Sequence, residues 1–139
     1  MKIAVYPGSF DPWHQGHEDI LEKALKIFDI VVVARGQNPF KPPHESELVL
    51  PEKFQDRSYL INFKGFLHDI AGPHNSPQFC AVVKGLRNGD DLQFEMNQQY
   101  WSEDLGLKIP IVYFITDRSL GHISSSAIKA VNKIKESKV

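Results

Sequence analysis

Val5-Tyr-Pro-Gly-Ser-Phe-Asp-Pro-Trp-His-Gln-Gly-His17 is the stretch whose reading decides the fold. A short apolar run, residues 3–5, precedes it and reads as a first strand. After it, Ile20, Leu21, Ala24, Leu25, Ile27 and Phe28 recur at helical spacing and form one apolar stripe. The stretch is therefore a strand-to-helix turn, the place where open α/β sheets bind ligands. Its residue types suit phosphate. Gly8 and Gly16 allow close approach of backbone, and Ser9 offers a hydroxyl. A helix N-terminus adds free N–H groups and partial positive charge. His14 and His17 share a helix face if the helix has begun by His14. Two other readings stay open here: a metal site of both histidines with Asp11, and ordinary surface histidines. No further His/Cys cluster at ligand spacing completes a metal site.

Working outward, composition bounds the answer. The chain has 139 residues, 42% of them apolar and 24% charged, which fits one soluble globular domain over 1–139. A formal net charge of −1 gives no basic field for nucleic acid. The single cysteine, Cys80, excludes an internal disulfide and reads as a small core residue in a reducing compartment. No apolar run approaches the roughly 20 residues of a membrane span. The first residues enter a strand at once, so no signal peptide is expected, and the expectation is a cytoplasmic protein.

Residues 29–35 contain Ile30-Val-Val-Val-Ala34, a run expected as a strand buried on both faces of a parallel sheet. With the first strand and helix it makes a βαβ unit. The prolines of Gly36-Gln-Asn-Pro-Phe-Lys-Pro-Pro43 forbid regular structure, so Lys41 sits on a loop at the carboxyl end of the sheet. Residues 44–64 read least clearly: 51–57 suits a helix start with Pro51 in its first turn, and 59–63 suits either a strand or that helix's end. A short helix is expected at 65–71 and a loop at 72–77. Residues 79–83 form another strand, which runs into Lys84-Gly-Leu-Arg-Asn-Gly89 and then a helix over about 90–103. On that helix Asp91 and Glu95 share a face, and Met96, Tyr100 and Trp101 are expected to pack or form an interface. A last strand spans 109–116. The final helix, about 127–135, follows Ser124, Ser125 and Ser126, which are caps first and a second anion site by their place beside bare N–H groups. The fold class is α/β, a Rossmann-like open parallel sheet with helices on both faces.

The spacing Gly8-Ser9-Phe10-Asp11-Pro12, then His14-Gln15-Gly16-His17, resembles the GxFDPxHxGH signature of the HIGH-type nucleotidyltransferases. Lys84-Gly-Leu-Arg87, Asp91, Glu95 and Ile123-Ser-Ser-Ser-Ala-Ile-Lys129 are similar to one branch, the phosphopantetheine adenylyltransferases, with their RGLR loop, acidic pair and ISSSxVK segment. Gly65-Phe-Leu-His-Asp-Ile-Ala71 is similar to that branch's GLLVDFA. The resemblance implies transfer of an adenylyl group from ATP to 4′-phosphopantetheine, giving dephospho-coenzyme A and pyrophosphate. By position it implies that Ser9 and Phe10 touch ATP and that Ser9 also meets the acceptor phosphate. His14 lies in the same nucleotide loop. His17 stabilises the transition state, Lys41 holds phosphates, and Leu67 lines the pantetheine arm. Gly85, Leu86, Arg87, Glu95 and Leu120, Gly121, His122, Ile123, Ser124, Ser125 and Ser126 bind the nucleotide. Mg²⁺ accompanies ATP, held mostly by phosphates and water. A homo-oligomer is implied, with a hexamer as the family's arrangement.

Three departures bear on the acceptor and on subunit contacts. Lys84 stands where the family has Arg, a point charge in place of a planar fork. The 72–77 loop is longer and 44–64 shorter than usual, and the chain stops short of the family's terminal helix. The alternatives are another phosphorylated acceptor, such as nicotinamide mononucleotide or glycerol 3-phosphate, and an idle nucleotide-binding protein. The acceptor's phosphate needs no general base, because its second pKa is about 6. Catalysis is expected from positioning and from the cations His17, Lys41, Lys84 and Arg87.

Overall fold

The computed structural model describes residues 1–65, 67–71, 78–87, 89–106, 108–117 and 122–138. Five strands, β1 (Ile3–Gly8), β2 (Ile30–Gln37), β3 (Ser58–Lys64), β4 (Ala81–Leu86) and β5 (Ile111–Ile115), form one sheet in the order β3-β2-β1-β4-β5. Every neighbouring pair is parallel. The central strands are buried on both faces, in keeping with their unbroken apolar openings, β-branched throughout only in β2. Ala4, Tyr6, Val31, Val33, Ala81 and Val83 face one core, and Val5, Val32, Ala34 and Val82 face the other.

Among the described residues four helices accompany the sheet: α1 (Gln15–Leu25), α2 (Leu67–Ala71), α3 (Gly89–Asp104) and α4 (Ser125–Ser137). Helix α1 buries Ile20, Leu21 and Ala24 in the first core, and α2 places Ala71 in the second. Helices therefore lie on both faces, as expected. Gly85 lets α1 settle on β4, since a Cβ there would stand 2.7 Å from Ile20 Cγ1.

The structure resolves the readings left open in 44–64. Residues 52–54 make only a short 3₁₀ turn, and 58–64 are the edge strand β3. The β2–β3 crossover thus carries no α-helix. Its Leu48, Leu50 and Phe54 pack in the first core in place of one. Arg57 ties it down by donating to the carbonyls of Leu25 (2.7 Å) and Phe28 (2.9 Å), which α1 leaves open at its C-terminus.

One expectation about burial is corrected and another is narrowed. Cys80 is exposed just before β4 and is not a core residue. On α3, Met96, Tyr100 and Trp101 are exposed by 38%, 56% and 68%, so they are not core within this chain and leave an apolar face uncovered. The loop expected at 72–77 lies outside the described residues.

Leu21 is fully buried between α1 and the sheet. Leu21→Ala should lower unfolding free energy by about 2–5 kcal/mol, the range for emptying such a site. Chemical denaturation of the two proteins measures it, and a loss within error of zero would contradict the packing of α1.

Candidate active site

The strand order reverses direction between β1 and β4, so the loops leaving their C-terminal ends open a crevice between them. The β1 loop carries the quoted motif, and the β4 loop carries Arg87.

His14 is not inside α1; it is its N-cap, in extended conformation. Its Nδ1 accepts the Gly16 N–H at 3.1 Å, and His17 Nδ1 accepts the His14 N–H at 3.2 Å. The two side chains thus form a capping box, a role that Ser and Glu more often fill. Gly16 is required here, because a Cβ would meet the His14 ring at 2.9 Å. With both Nδ1 atoms accepting, each neutral ring carries its proton on Nε2. The rings stack with centroids 3.7 Å apart, so two Nε2–H donors are presented side by side.

His17 is further enclosed by Phe10 at 4.9 Å and Trp13 at 5.2 Å. Burial among these rings, then the charges of His14 and Arg87, lower its pKa to about 3. His14 is lowered by the same kinds of cause, burial first and the Arg87 charge second. His17 is therefore neutral near pH 7. This corrects its expected place among the cations: it can stabilise developing charge as a hydrogen-bond donor only.

Asp11 was considered in the sequence only as a metal ligand. It is 6% exposed, and its carboxylate accepts from Glu45 N–H (3.0 Å), Ser46 N–H (2.8 Å), Ser46 Oγ (2.5 Å), Arg35 Nη2 (3.4 Å) and Lys129 Nζ (3.2 Å). Burial alone would raise its pKa, but these hydrogen bonds overcome it and hold the carboxyl well below the usual range. Among the described residues no group of three or more His, Cys, Asp or Glu is placed to hold a metal ion. The donors around Asp11 account for its carboxylate without one.

Arg35, 7% exposed, reaches from β2 and donates to the carbonyls of Ser9 (2.9 Å) and Phe10 (3.4 Å). It fixes the loop where Phe10 takes φ +48°, a conformation that side-chain-bearing residues seldom adopt. Phe10's ring is buried and belongs to the core. Ser9 is exposed, and its hydroxyl makes no hydrogen bond among the described residues.

The start of α4 is fastened onto this loop. Ser124 caps the helix by accepting the Ala127 N–H, and Ser125 Oγ donates to the Pro12 carbonyl at 3.0 Å. Ser126 is exposed on the first turn, Ile123 is half-buried, and His122 is exposed. Leu120 and Gly121 lie outside the described residues. Two helix N-termini, those of α1 and α4, therefore flank one loop. Lys23 and Asp19 of α1 hold the end of β5 beside them: Lys23 bonds Asp19, Asp117 and the Ile115 carbonyl, and Asp19 accepts the Asp117 N–H.

On the β4 side, Gly85 and Leu86 pack inward, and Arg87 reaches out. Arg87 is bound by Asp91 (Nε to Oδ2, 3.1 Å), and Lys84 by Glu95 (2.6 Å). The acids of α3 are thus not merely helix-end charges: they lie on the two cations of the β4 loop. Lys41 stands apart, exposed, and its ammonium makes no contact among the described residues. Leu67 is half-buried against the second core at the end of β3.

The sequence matches the cytidylyltransferase-like family model over residues 5–131. A phosphopantetheine adenylyltransferase of Francisella tularensis subsp. novicida is 37% identical over 136 residues, spanning 94% of this chain and 82% of its own. The chain belongs to the cytidylyltransferase-like nucleotidyltransferases, among the phosphopantetheine adenylyltransferases. A relative from Francisella tularensis subsp. mediasiatica matches to the same extent. In fold, the chain is similar to a pantoate-beta-alanine ligase of Francisella tularensis (TM-score 0.51, 17% identity, 97% of this chain and 70% of that one). It is also similar to a protein from Vibrio parahaemolyticus titled a nicotinate-nucleotide adenylyltransferase (TM-score 0.51, 17% identity, 94% and 80%). These last two speak for the Rossmann-like architecture alone.

The Cε1–H resonance of His17 should hold its neutral position through about pH 6.5, where a free imidazole titrates, and move only towards pH 3. Because the folded ring binds its proton more weakly than the unfolded one, the ring's contribution to stability is complete above about pH 6.5 and is lost as pH falls toward the folded value. A midpoint at about 6.5 in the folded protein would contradict the enclosure of this ring.

Proposed function

We propose that this nucleotidyltransferase moves the adenylyl group of ATP to 4′-phosphopantetheine, releasing pyrophosphate and forming dephospho-coenzyme A, in coenzyme A biosynthesis. The observation that carries the reading is the meeting of two helix N-termini and two Nε2–H donors on the β1 loop, across the crevice from Arg87. This is a receptor for a polyphosphate. An oxygen of the acceptor's phosphate attacks the α-phosphorus, and the bond to the β-phosphate breaks. No proton has to move, since that phosphate is already largely ionised at neutral pH. The chain's task is to hold two polyanions in line and receive charge on the α-phosphate. His17 donates its Nε2–H there, with His14 beside it, and Ser9 and the backbone of the loop contact the nucleotide. Ser124, Ser125 and Ser126 present the α4 terminus to it, with Leu120, Gly121, His122 and Ile123 before them.

Lys41, whose ammonium makes no contact among the described residues, takes phosphate charge. Lys84 meets the acceptor phosphate and exchanges Glu95 for it, and Arg87 likewise exchanges Asp91 for nucleotide phosphate. Glu95, once released, faces the nucleotide, and Leu67 borders the pantetheine arm. Mg²⁺ supplies charge neutralisation on the triphosphate and is held by phosphates and water. A cytoplasmic location is our reading, since the proposed substrates are small and water-soluble. Among the described residues, no helix is long and apolar enough to cross a membrane. The uncovered apolar residues of α3, with Val131 and Ile134 of α4 exposed by 49% and 56%, support a homo-oligomer, a hexamer by resemblance.

Lys84 in place of Arg and the crossover without a helix favour, as the second reading, another phosphorylated acceptor. Pyrophosphate release with ATP and a panel of phosphopantetheine, nicotinamide mononucleotide and glycerol 3-phosphate decides it. Phosphopantetheine should give the highest kcat/KM, and His17→Ala should lower kcat by on the order of 10²–10³. Faster turnover of another acceptor would move the assignment to it. No release with any acceptor, or full turnover in His17→Ala, would overturn the reading.

A further inference from the structure

At the C-terminal ends of β2 and β3, to the side of the crevice, lies a cavity of about 200 Å³ lined by Arg35, Gln37, His44, Asn62, Phe63 and Lys64. One residue of the β2–β3 crossover, His44, contributes to its wall. Among the described residues its lining holds two permanent cations and no carboxylate. Arg35 spends Nε and Nη2 on the β1 loop, Asp11 and Ser46. Its Nη1 makes no hydrogen bond among the described residues, nor do the Lys64 ammonium and the Asn62 amide. A guanidinium that is 7% exposed and lines a cavity with an unspent nitrogen is a donor waiting for an acceptor.

The acids around the cavity stand outside its lining among the described residues. Asp11 serves Arg35 and Lys129 together, Glu45 lies 3.9 Å from Lys129, and Asp69 stands against Gly65 just past β3. The remaining groups narrow the ligand. Gln37 gives its amide N–H groups to the carbonyls of Asn38 and Pro42, which leaves its Oε1 as an acceptor. His44 Nε2 faces the Gly36 carbonyl at 2.9 Å and must donate to it, so the ring closes the wall without offering that proton. The occupant must therefore bring acidic oxygens for Arg35 and Lys64 and an O–H for Gln37. A protonated phosphate does both: at neutral pH it is an anion that still carries P–OH in part.

We propose that this cavity is a phosphate-binding site distinct from the nucleotide crevice. Its ligand touches the guanidinium that holds the Ser9 and Phe10 carbonyls, so occupancy and loop conformation are linked through one side chain, and the linkage is reciprocal.

The test needs no turnover and so stands apart from the adenylyl-transfer reading. Inorganic phosphate is titrated into the full chain, and methyl phosphate separately, following the side-chain amide resonances of Gln37 and Asn62. Saturable shifts at both are expected. Lys64→Glu, at an exposed strand end where folding is not at risk, should weaken them roughly tenfold, the loss of one charge-assisted hydrogen bond. Arg87→Ala, in the crevice, should leave them unchanged. Tighter binding of methyl phosphate assigns the site to phosphate esters, and tighter binding of inorganic phosphate to the free ion. Absence of saturable shifts, or wild-type affinity in Lys64→Glu, or their loss in Arg87→Ala alone, overturns the proposal.

Discussion

The buried carboxylate of Asp11 is the contact on which the ligand-facing surface depends. It takes hydrogen bonds from the 45–46 loop, from Arg35 on β2 and from Lys129 on α4. Three segments distant in the chain are thereby held to the β1 loop by one side chain. Removing one member of such a buried ion pair is expected to be destabilising by about 3–5 kcal/mol, because it strands the other charge. A chain could reach the same stability with apolar residues there. What the ionic arrangement adds is direction: Arg35 lies against Asp11 and also grips the carbonyls of Ser9 and Phe10.

The parallel sheet supplies the rest of the geometry. Because strand order reverses between β1 and β4, the helices that follow those strands depart on opposite sides and leave their loops facing each other. Lys23 and Asp19 then hold the end of β5 to α1, so the approach to α4 starts from a fixed point. The opposite wall is electrostatically satisfied before any ligand arrives: Lys84 and Arg87 carry Glu95 and Asp91. Under the proposed function, a phosphate arriving there would replace carboxylates rather than meet bare cations, and its gain would be the difference between two charge-assisted contacts.

Much of this was legible in the residues. Strand β2 opens on a continuous β-branched run, and β1 and β4 open on unbroken apolar ones, a pattern that suits a sheet buried on both faces. The β1 loop announced itself through two histidines and two glycines at fixed spacing. Other features were not legible, for physical reasons. Strand β3 is an edge in which Leu60 and Ile61 are both half-buried in succession and only Ser58 is fully buried, and it begins just after a 3₁₀ turn, so Tyr59-Leu-Ile-Asn-Phe63 carried no single period. For the apolar residues of α3 packing and interface both stayed open, because periodicity does not say what covers a helix face. Asp11 and Arg35 are 24 residues apart, and their contact depends on the register of β1 with β2. One signal was available: an arginine ending a fully apolar buried strand needs a partner. The charge of His17 could not be read at all, because neutrality comes from three rings that only the fold brings together.

The central claim, that Asp11 and Lys129 act together to hold the α4 terminus over the β1 loop, is tested most directly by a double-mutant cycle on ATP affinity. Calorimetric titration would compare the parent chain with Asp11→Asn, Lys129→Met and the double variant, each checked for folding by its thermal transition. The account predicts that each single change weakens ATP binding and that the two losses overlap, with a coupling of about 0.5–3 kcal/mol as for residues in one network. Strictly additive losses, or wild-type affinity in the Asp11→Asn variant, would contradict it.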